Sequence, residues 1–168
     1  MKVIFLDIDG ALNSVDYMNA LHFNFLSKVH TGEESFPMSH DVTNDEYGQY
    51  FDQRCVIHLE SIINFTNAKI VISSTWRGQG FKRMKNLWDW RNLPGEVIGI
   101  TPRLNRHRGE EIEEYLIQND DITNYVIIDD GSDMLLEQQL NFVQTNGKFG
   151  ITFNDAEKAI KILNDENS

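Results

Sequence analysis

The sequence predicts an α/β fold in which a mostly parallel central sheet is covered by helices on both faces. Short apolar runs rich in strand-forming residues recur along the chain, and amphipathic segments with helical spacing separate most of them. Strands that alternate with helices in this way form a parallel sheet. The length of 168 residues matches one domain, and a composition with 40% hydrophobic and 24% charged residues can fill a single core.

The first strand is predicted over the apolar run from Lys2 to Leu6, which is followed by the sequence Asp-Ile-Asp-Gly at residues 7–10. Regular periodicity then fades between residues 13 and 53, and residues 31–50 mix Gly, Ser, Pro, Asn and Asp. A short helix is predicted over Tyr17 to Phe25 within this stretch. We interpret residues 13–53 as an insertion that lies over the core.

The middle of the chain predicts two further helices and two further strands. Apolar residues at helical spacing predict a helix over residues 54–66, and the apolar run from Lys69 to Ile72 predicts the next strand. A second helix is predicted over Gln79 to Trp90 and is ended by the turn at residues 93–95. Residues 96–100 are expected to form a short strand, although their pattern does not fix the element type.

The last third of the chain predicts two more helices and two more strands. An apolar face with acidic residues in the first turn predicts a helix over Arg108 to Gln118. Apolar residues 125–128 predict another buried strand, and residues 141–144 predict the last one. The final helix is expected to begin at the N-cap Asn154, with Glu157 three residues on forming a capping box.

The chain is acidic, with 15 basic and 26 acidic residues and a formal net charge of -11. Such a charge argues against a protein that coats nucleic acid. Residues 77–108 depart from the average, because they contain eight basic and two acidic residues, a local charge of +6. This basic segment is compatible with a solvated face and equally with a site that binds an anion.

No apolar run approaches the roughly 20 residues that a membrane-spanning helix requires. No secretory signal is recognisable, and the single cysteine, Cys55, cannot form an internal disulfide. We therefore expect a cytoplasmic protein with no membrane partner. Cys55 falls on the apolar stripe of a predicted helix, so we expect it to be a small core residue.

Oxygen-bearing side chains follow three of the predicted strands. They are Asp7 and Asp9, Ser73 and Ser74, and Asp129 and Asp130. Because ligands of open α/β sheets bind beyond the carboxyl ends of the strands, we expect these side chains to meet at one edge. Two like charges about 4 Å apart repel by about 4 kcal/mol at an effective dielectric constant near 20. A hard dication such as Mg²⁺ relieves this repulsion, because it prefers oxygen ligands.

Carboxylates at such an edge offer a specific chemistry. One carboxylate can attack phosphorus, and an acid two residues along, on the same side of a strand, can protonate the leaving oxygen. The competing interpretation is conformational, because Asp-x-Asp-Gly is a common turn and an Asp-Asp pair also favours helix starts. The ordered combination of strand-Asp-x-Asp-Gly, strand-Ser, a basic residue that opens a helix and strand-Asp-Asp favours the catalytic interpretation.

In that combination the sequence resembles the haloacid dehalogenase (HAD) superfamily of phosphohydrolases, whose four signature segments match in order across nearly the whole chain. Residues 6–13, 70–77 and 108–112 also resemble the HAD domains of multi-part RNA-repair proteins. The resemblance implies a single HAD-like catalytic domain over residues 1–168. Its expected architecture is a Rossmann-like three-layer sandwich with a mostly parallel sheet and residues 13–53 as a small cap-like insertion after the first strand.

The resemblance also implies roles for individual residues. Asp7 is the expected nucleophile that becomes an aspartyl phosphate, and Asp9 is the expected acid for the leaving group and base for the attacking water. Ser73 is expected to bind the phosphoryl oxygens, and Arg108 to steady the charged intermediate. The implied Mg²⁺ ligands are the side chains of Asp7, Asp129 and Asp130 and the backbone carbonyl of Asp9.

Two signature positions have competing residues. Ser74 competes with Ser73 for the second signature, and Arg106 competes with Arg108 for the third, where lysine is commoner in the family. An arginine binds phosphate as a planar fork, so the electrostatic role is expected to survive. The expected substrate-binding residues are Gly10, Ser74, Arg77 and Arg106.

Four other residues have both a structural and a functional interpretation. Asp133, three residues after Asp130, either orients the metal ligands or faces solvent. Trp76 either packs against the core, which is the favoured interpretation, or contributes to substrate recognition. Trp88 and Trp90 either stack on a base or, for one of them, anchor a helix to the core.

The expected function is Mg²⁺-dependent hydrolysis of a phosphomonoester by a HAD-type phosphatase. An acid at position 9 sets the chain apart from the ATPase branch of the superfamily, which lacks it. Nucleotides and nucleic-acid terminal phosphates are the favoured substrates because of the basic segment and the RNA-repair resemblance. A long nucleic-acid tract is not expected to bind an acidic protein. The alternatives are a small-metabolite phosphatase, a phosphotransferase of the same family and a non-catalytic HAD-fold binding module.

Overall fold

A computed structural model describes residues 1–30 and 44–165 of the chain. Its centre is a five-stranded sheet in which every neighbouring pair of strands is parallel. In chain order the described strands are β1 (Lys2–Leu6), β2 (Asn44–Asp45), β3 (Gly48–Gln49), β4 (Lys69–Ile72), β5 (Val97–Ile100), β6 (Asn124–Asp129) and β7 (Phe142–Gln144). The order across the central sheet is β5-β4-β1-β6-β7, while β2 and β3 form a separate antiparallel hairpin.

Five α-helices accompany these strands within the described part of the chain. They are α1 (Val15–His30), α2 (Gln53–Thr66), α3 (Phe81–Trp90), α4 (Arg108–Gln118) and α5 (Phe153–Asn164). Short 3-10 helices cover Thr75–Gln79 and Leu136–Asn141. The helix predicted over Tyr17 to Phe25 is therefore present and extends at both ends.

Side chains on the two faces of the sheet belong to two separate apolar clusters. On β1, Ile4 and Leu6 pack with residues of α2, α3 and α5, whereas Val3 and Phe5 pack with residues of α4. The period of two along a strand produces this division, because successive side chains point to opposite faces. Helices thus cover both faces of a parallel sheet, and the predicted Rossmann-like three-layer α/β sandwich is confirmed.

Two predicted helix starts were wrong. Helix α3 begins at Phe81 and not at Gln79, because Gly80 adopts φ 88°, a conformation that interrupts the helix and favours glycine. Helix α5 begins at Phe153, and its N-cap is Thr152 and not Asn154. The Thr152 hydroxyl accepts from the Asp155 backbone N–H, and the Asp155 carboxylate accepts from the Thr152 backbone N–H, so the capping box lies two residues earlier than predicted.

The predicted insertion over residues 13–53 is described only in part, because residues 31–43 lie outside the described residues. Its described elements are α1 and the hairpin of β2 and β3. The two ends of the segment meet where the Ser14 hydroxyl donates to the Asp52 carboxylate at 3.0 Å, and both side chains are buried. Its role as a cap stays a prediction.

Arg91, which follows α3, fastens the hairpin to that helix. Its Nε and Nη2 donate to the Asp45 carboxylate at 2.8 and 2.7 Å, and its guanidinium also donates to the carbonyls of Gln49 and Gly48 at 2.9 Å. Only 3% of the Arg91 side chain and 8% of the Asp45 side chain are exposed. The hairpin is therefore attached to the core through one buried ion pair with several hydrogen bonds.

Cys55 is fully buried on α2, in agreement with its predicted place in the core. Burial raises the pKa of its thiol to about 11, so the thiol is protonated at neutral pH.

Among the helices of the described residues, none combines the length and the apolar character needed to cross a membrane.

Replacing Arg91 by Met is expected to lower the free energy of unfolding by about 3–5 kcal/mol, because it leaves the Asp45 carboxylate buried without its charged partner. The matched control is Lys85→Met, which removes an exposed ion pair with Asp89 on α3, the helix that Arg91 follows. This control is expected to lower the free energy of unfolding by less than about 1 kcal/mol. Urea unfolding measures both variants. Similar losses in the two variants would contradict the role assigned to Arg91.

The same comparison has a pH dependence. Arg91 holds the pKa of Asp45 below its ordinary value of 3.8, so the contribution of the pair is present above about pH 4 and is lost as the pH falls. The difference in unfolding free energy between wild type and Arg91→Met is therefore expected to shrink between about pH 4 and pH 2. A difference that grew on acidification would have the wrong sign.

Candidate active site

The backbone hydrogen bonds of the central sheet continue one residue beyond the ends of four strands. Asp7 N–H donates to the Ile128 carbonyl, Ser73 N–H to the Leu6 carbonyl, Thr101 N–H to the Ile72 carbonyl and Thr145 N–H to the Asp129 carbonyl, at 2.9–3.0 Å. Neighbouring strands are therefore in step at this edge. The register brings polar residues from separate parts of the chain side by side; they are Thr101, Ser73, Asp7 and Asp129.

Three carboxylates gather at this edge of the sheet. Asp7, Asp129 and Asp130 each offer an oxygen, and these three atoms lie within 4.8 Å of one another. Asp7 and Asp129 are buried, whereas Asp130 is exposed. Parallel strand ends from β1 and β6 thus converge as the sequence predicts, and we call these three residues the carboxylate cluster.

Gly10 and Gly147 leave the space that the side chain of Asp130 occupies. A Cβ atom on Gly10 would lie 2.3 Å from Cγ of Asp130, and one on Gly147 would lie 2.6 Å from its Oδ2. Gly10 also has φ 90°, and its carbonyl accepts a hydrogen bond from the Thr145 hydroxyl at 2.8 Å. The Gly that follows the Asp-Ile-Asp motif is therefore required both by its conformation and by the close approach of Asp130.

Arg108 joins two members of the carboxylate cluster. Its Nη1 donates to Oδ1 of Asp7 at 2.8 Å and to Oδ2 of Asp129 at 2.6 Å. Arg108 is the first residue of α4, and the Asp133 carboxylate accepts from its backbone N–H at 2.8 Å. Asp133 therefore contacts the start of α4, a role that neither interpretation of the sequence included.

The two buried carboxylates have raised pKa values. Burial is the main cause for both Asp7 and Asp129, and the charge of Asp7 raises the pKa of Asp129 further, to about 6. Arg108 acts in the opposite direction on both, and the Ser74 hydroxyl lowers the pKa of Asp7 through a hydrogen bond. The raised values show that Arg108 offsets only part of the cost of placing these negative charges together.

The donors of the carboxylate cluster fit a hard divalent cation. All are carboxylate oxygens, one each from Asp7, Asp129 and Asp130. The guanidinium of Arg108 brings one positive charge against the three formal negative charges of these carboxylates. Mg²⁺ binds through one or two carboxylates and keeps positions for water and substrate oxygens. The carboxylate of Asp9 is not a member of the cluster, in keeping with the expectation that Asp9 contributes its backbone carbonyl.

The two serines that compete for the second signature have different surroundings. Ser73 is fully buried, and its hydroxyl has no hydrogen-bond partner among the described residues. The hydroxyl of its neighbour across the sheet, Thr101, is also buried without a partner in that part of the chain. Ser74 is occupied, since its hydroxyl accepts from the backbone N–H of Trp76 and bonds to Asp7. Ser73 thus has the free hydroxyl, directly beside Asp7 in the register.

Asp9 lies in a turn and not on a continuing strand. The backbone N–H groups of Leu12 and Asn13 donate to the Ile8 carbonyl, and Gly10 N–H donates to the Asn13 carbonyl, which closes the chain on itself after Asp7. Asp9 is exposed, and its carboxylate accepts from Nε1 of Trp76 at 2.9 Å and from Nδ2 of Asn13 at 3.4 Å. Trp76 packs against the core, as favoured from the sequence, and in addition bonds to Asp9, a contact that no local pattern in the sequence signals.

Arg77 does not occupy the substrate-binding position predicted for it. Its guanidinium is buried, forms an ion pair with Glu111 and donates to the carbonyls of Ser73 and Ser74 at 2.6 and 2.8 Å. Oε1 of Glu111 also accepts from the Leu104 backbone N–H at 2.7 Å. Arg77 therefore braces the loop after β4 against α4, because a buried guanidinium must find its partners inside the protein.

The two arginines that compete for the third signature also have different surroundings. Arg108 reaches the carboxylate cluster, whereas Arg106 is exposed on the loop between β5 and α4.

Trp88 is buried and Trp90 is 67% exposed, so the interpretation that one of the pair anchors α3 to the core is correct. With Arg77 and Arg91 buried as well, the basic segment 77–108 presents less positive charge at the surface than its count suggests.

The parallel sheet with aspartates from two strand ends and an arginine between them defines a domain of the haloacid dehalogenase class. The model of one family, described as the HAD domain in Swiss Army Knife RNA repair proteins, matches residues 3–156. The chain belongs to this family, and the predicted relation to HAD domains of RNA-repair proteins is confirmed. No curated protein and no solved structure matches the chain.

Replacing Gly10 by Ala is expected to displace the Asp130 carboxylate and so to weaken Mg²⁺ binding without removing any ligand. The control is Gly80→Ala, since Gly80 has nearly the same φ of 88° but nothing within 4 Å of an added Cβ. Both variants are expected to lose about 1–3 kcal/mol of stability through backbone strain. If the carboxylate cluster binds Mg²⁺, adding Mg²⁺ is expected to raise the unfolding temperature of Gly80→Ala and not that of Gly10→Ala. An equal Mg²⁺ response in both variants would contradict the predicted metal site.

Proposed function

We propose that this protein is a Mg²⁺-dependent phosphomonoester hydrolase that acts through an aspartyl phosphate on Asp7. Its proposed substrates are nucleotides or the terminal phosphates of nucleic acids. The observation that carries the proposal is the convergence of Asp7, Asp129 and Asp130 within 4.8 Å at the carboxyl edge of a parallel sheet. Membership of the HAD family supports a phosphatase, since this fold hosts that chemistry at this edge.

In the first proposed step, a carboxylate oxygen of Asp7 attacks the phosphorus atom of the bound monoester. The bond between phosphorus and the ester oxygen breaks as the bond to Asp7 forms, and the electron pair stays on the leaving oxygen. Asp9 in its protonated form donates a proton to that oxygen, so that a neutral alcohol departs. Asp9 is suited to this role because it is exposed, whereas the nucleophile beside it is buried.

The second step releases the phosphate. Asp9, now a carboxylate, takes a proton from a water molecule whose oxygen attacks the phosphorus atom. The bond between phosphorus and Asp7 breaks, and Asp7 returns to its free carboxylate form. The products are the alcohol and inorganic phosphate, and the covalent intermediate divides one difficult displacement into two easier ones.

Three other groups stabilise charge in this scheme. Arg108 contacts Asp7 directly and is placed to hold the negative oxygens of the phosphoryl group, to which guanidinium binds well. The unpartnered hydroxyl of Ser73 beside Asp7 is available to donate to a phosphoryl oxygen. When bound to the carboxylate cluster and the Asp9 carbonyl, Mg²⁺ supplies neutralisation of the anionic substrate and of the developing charge.

Nucleotides and nucleic-acid ends are favoured as substrates for two reasons. The family model describes domains of RNA-repair proteins. The loop between β5 and α4, which leads directly to Arg108, exposes Arg103 and Arg106 to solvent. Two exposed arginines next to a phosphoryl site suit a substrate with a few phosphates. The net charge of -11 disfavours a long tract, whose affinity grows with the number of cations that it contacts.

Asp7→Asn is expected to abolish hydrolysis of every phosphomonoester while leaving the fold intact, because the amide is not a nucleophile. The matched control is Asp89→Asn, which makes the same change on an exposed residue of α3 and is expected to retain full activity. Phosphate release with Mg²⁺ measures activity, and circular dichroism measures the fold. Activity in Asp7→Asn equal to that of the control would remove Asp7 from the mechanism.

A measurement without turnover separates a hydrolase from a non-catalytic module. Fluorine NMR is expected to detect a beryllium fluoride adduct that requires both Mg²⁺ and Asp7 and is missing in Asp7→Asn. Absence of the adduct in the wild type, together with no hydrolysis of any monoester in a broad panel, would favour a binding module. Phosphate found on an added alcohol and not in water would identify a phosphotransferase.

The substrate class is tested with 3′- and 5′-phosphorylated oligonucleotides, mononucleotides and sugar phosphates. We expect the highest kcat/KM on an oligonucleotide end or a mononucleotide. The double variant Arg103→Ala, Arg106→Ala is expected to raise KM for the oligonucleotide and to flatten its salt dependence by about 0.7 in logarithmic slope for each phosphate that the variant no longer neutralises. Activity on sugar phosphates alone would reject the nucleic-acid assignment and leave the phosphatase assignment standing.

A further inference from the structure

Trp76 contacts a buried aromatic side chain on one side and Asp9, the candidate acid–base residue, on the other. It belongs to the 3-10 helix that follows β4, and its indole Nε1 donates to Oδ2 of Asp9 at 2.9 Å. Asp9 comes from a different part of the chain, 67 residues earlier. The contact therefore exists only because the loops after β1 and β4 leave adjacent strands of the sheet at the same edge.

The Trp76 ring packs against one other aromatic side chain, which is itself part of a buried aromatic cluster. Phe51 lies against it with the ring centroids 5.6 Å apart and the planes at 64°, and Phe51 also contacts Trp88, whose centroid is 6.0 Å away. Phe51 and Trp88 are almost completely buried. Edge-to-face contacts of this kind fix ring orientation, so they determine where the indole N–H points.

Asp9 itself has few other constraints. Its side chain is exposed, and its other carboxylate oxygen accepts a long bond of 3.4 Å from Asn13. An exposed carboxylate with one weak bond can occupy several rotamers. The indole bond selects one of them and leaves Oδ1 as the oxygen that is less firmly held.

We infer that Trp76 is a positioning residue, which orients the Asp9 carboxyl group for proton transfer through its indole N–H. This inference rests on the proposed function, since it assigns a purpose to the orientation of the acid–base residue at that same site. A bond from the indole to Oδ2 keeps the proton of neutral Asp9 on Oδ1, because Oδ2 is already accepting a hydrogen bond. Trp76 thus determines which oxygen delivers the proton to the leaving group.

The test uses two aryl phosphates that differ in how much they need an acid. The leaving group of 4-nitrophenyl phosphate departs readily without a proton, whereas that of phenyl phosphate departs poorly. The value of kcat/KM reports the steps up to phosphorylation of Asp7, which include the departure of the leaving group. A residue that positions the acid therefore affects phenyl phosphate more than 4-nitrophenyl phosphate.

In Trp76→Phe an aromatic ring remains but the N–H is removed. We expect kcat/KM for phenyl phosphate to fall about tenfold or more, and that for 4-nitrophenyl phosphate to fall much less, because general acid catalysis contributes about 100- to 10,000-fold. The matched control is Trp88→Phe, which removes an indole bond to the Pro94 carbonyl from the same aromatic cluster, away from Asp9. The control is expected to lower both values equally or not at all.

A second measurement does not depend on activity. The chain has three tryptophans, so nitrogen-15 NMR resolves up to three indole N–H signals, and the Trp76 signal is identified by its disappearance in Trp76→Phe. Asp9→Ala is expected to move the Trp76 signal and to leave that of Trp88 in place. A Trp76 signal that does not respond to Asp9→Ala overturns the inference.

The outcomes of the two measurements separate the inference from the proposed function. An active wild type with equal losses on both aryl phosphates in Trp76→Phe overturns the positioning role and leaves the hydrolase intact. A wild type that hydrolyses neither these aryl phosphates nor any other monoester of the broad panel overturns the proposed function, and the positioning role falls with it. A selective loss on phenyl phosphate together with a moved indole signal supports both.

Discussion

Two buried carboxylates, Asp7 and Asp129, share the guanidinium of Arg108, and the surrounding structure keeps these three groups together. The sheet register places Asp7 beside Asp129, and burial raises the pKa of both. The Asp133 carboxylate accepts a hydrogen bond from the backbone N–H of Arg108, the first residue of α4. The remaining excess of negative charge suits a divalent cation, and it also explains why a site of this composition lies at a surface edge and not inside the core.

Positive charge in this chain serves two different purposes. Arg77 and Arg91 lie in the interior, where each joins a carboxylate and backbone carbonyls. Arg77 connects the loop after β4 to α4, and Arg91 connects the hairpin to α3. Arg103 and Arg106 are exposed near the start of α4. A count of charges along the segment treats all of them alike. Burial separates these arginines into two groups, because a guanidinium that is shielded from water must form its hydrogen bonds and ion pairs with other groups of the protein.

The two aspartates of the Asp-Ile-Asp motif occupy opposite environments. Asp7 is buried next to Arg108 and the Asp129 carboxylate, whereas Asp9 is exposed in a turn and bonded to Trp76. This contrast suits the different roles proposed for the two residues, because a nucleophile benefits from the charge of Arg108 beside it and an acid–base residue needs access to water. The turn after β1 produces the contrast within three residues.

The strands of the central sheet, the five α-helices, the apolar faces and the oxygen-bearing strand ends were predictable from the sequence, because periodicity and strand ends are local properties. The hairpin of β2 and β3 and the two described 3-10 helices were not predicted. The sequence also limited the second and third signatures to two serines and two arginines. Only the tertiary structure showed that Arg108 and not Arg106 contacts Asp7, and that the Ser73 hydroxyl has no partner among the described residues whereas the Ser74 hydroxyl bonds to Asp7; which serine fills the second signature stays a prediction. It alone assigned Arg77 to Glu111 and Trp76 to Asp9, since these contacts join residues 34 and 67 positions apart. Such pairs depend on which strands become neighbours in the sheet, and no local pattern encodes that choice.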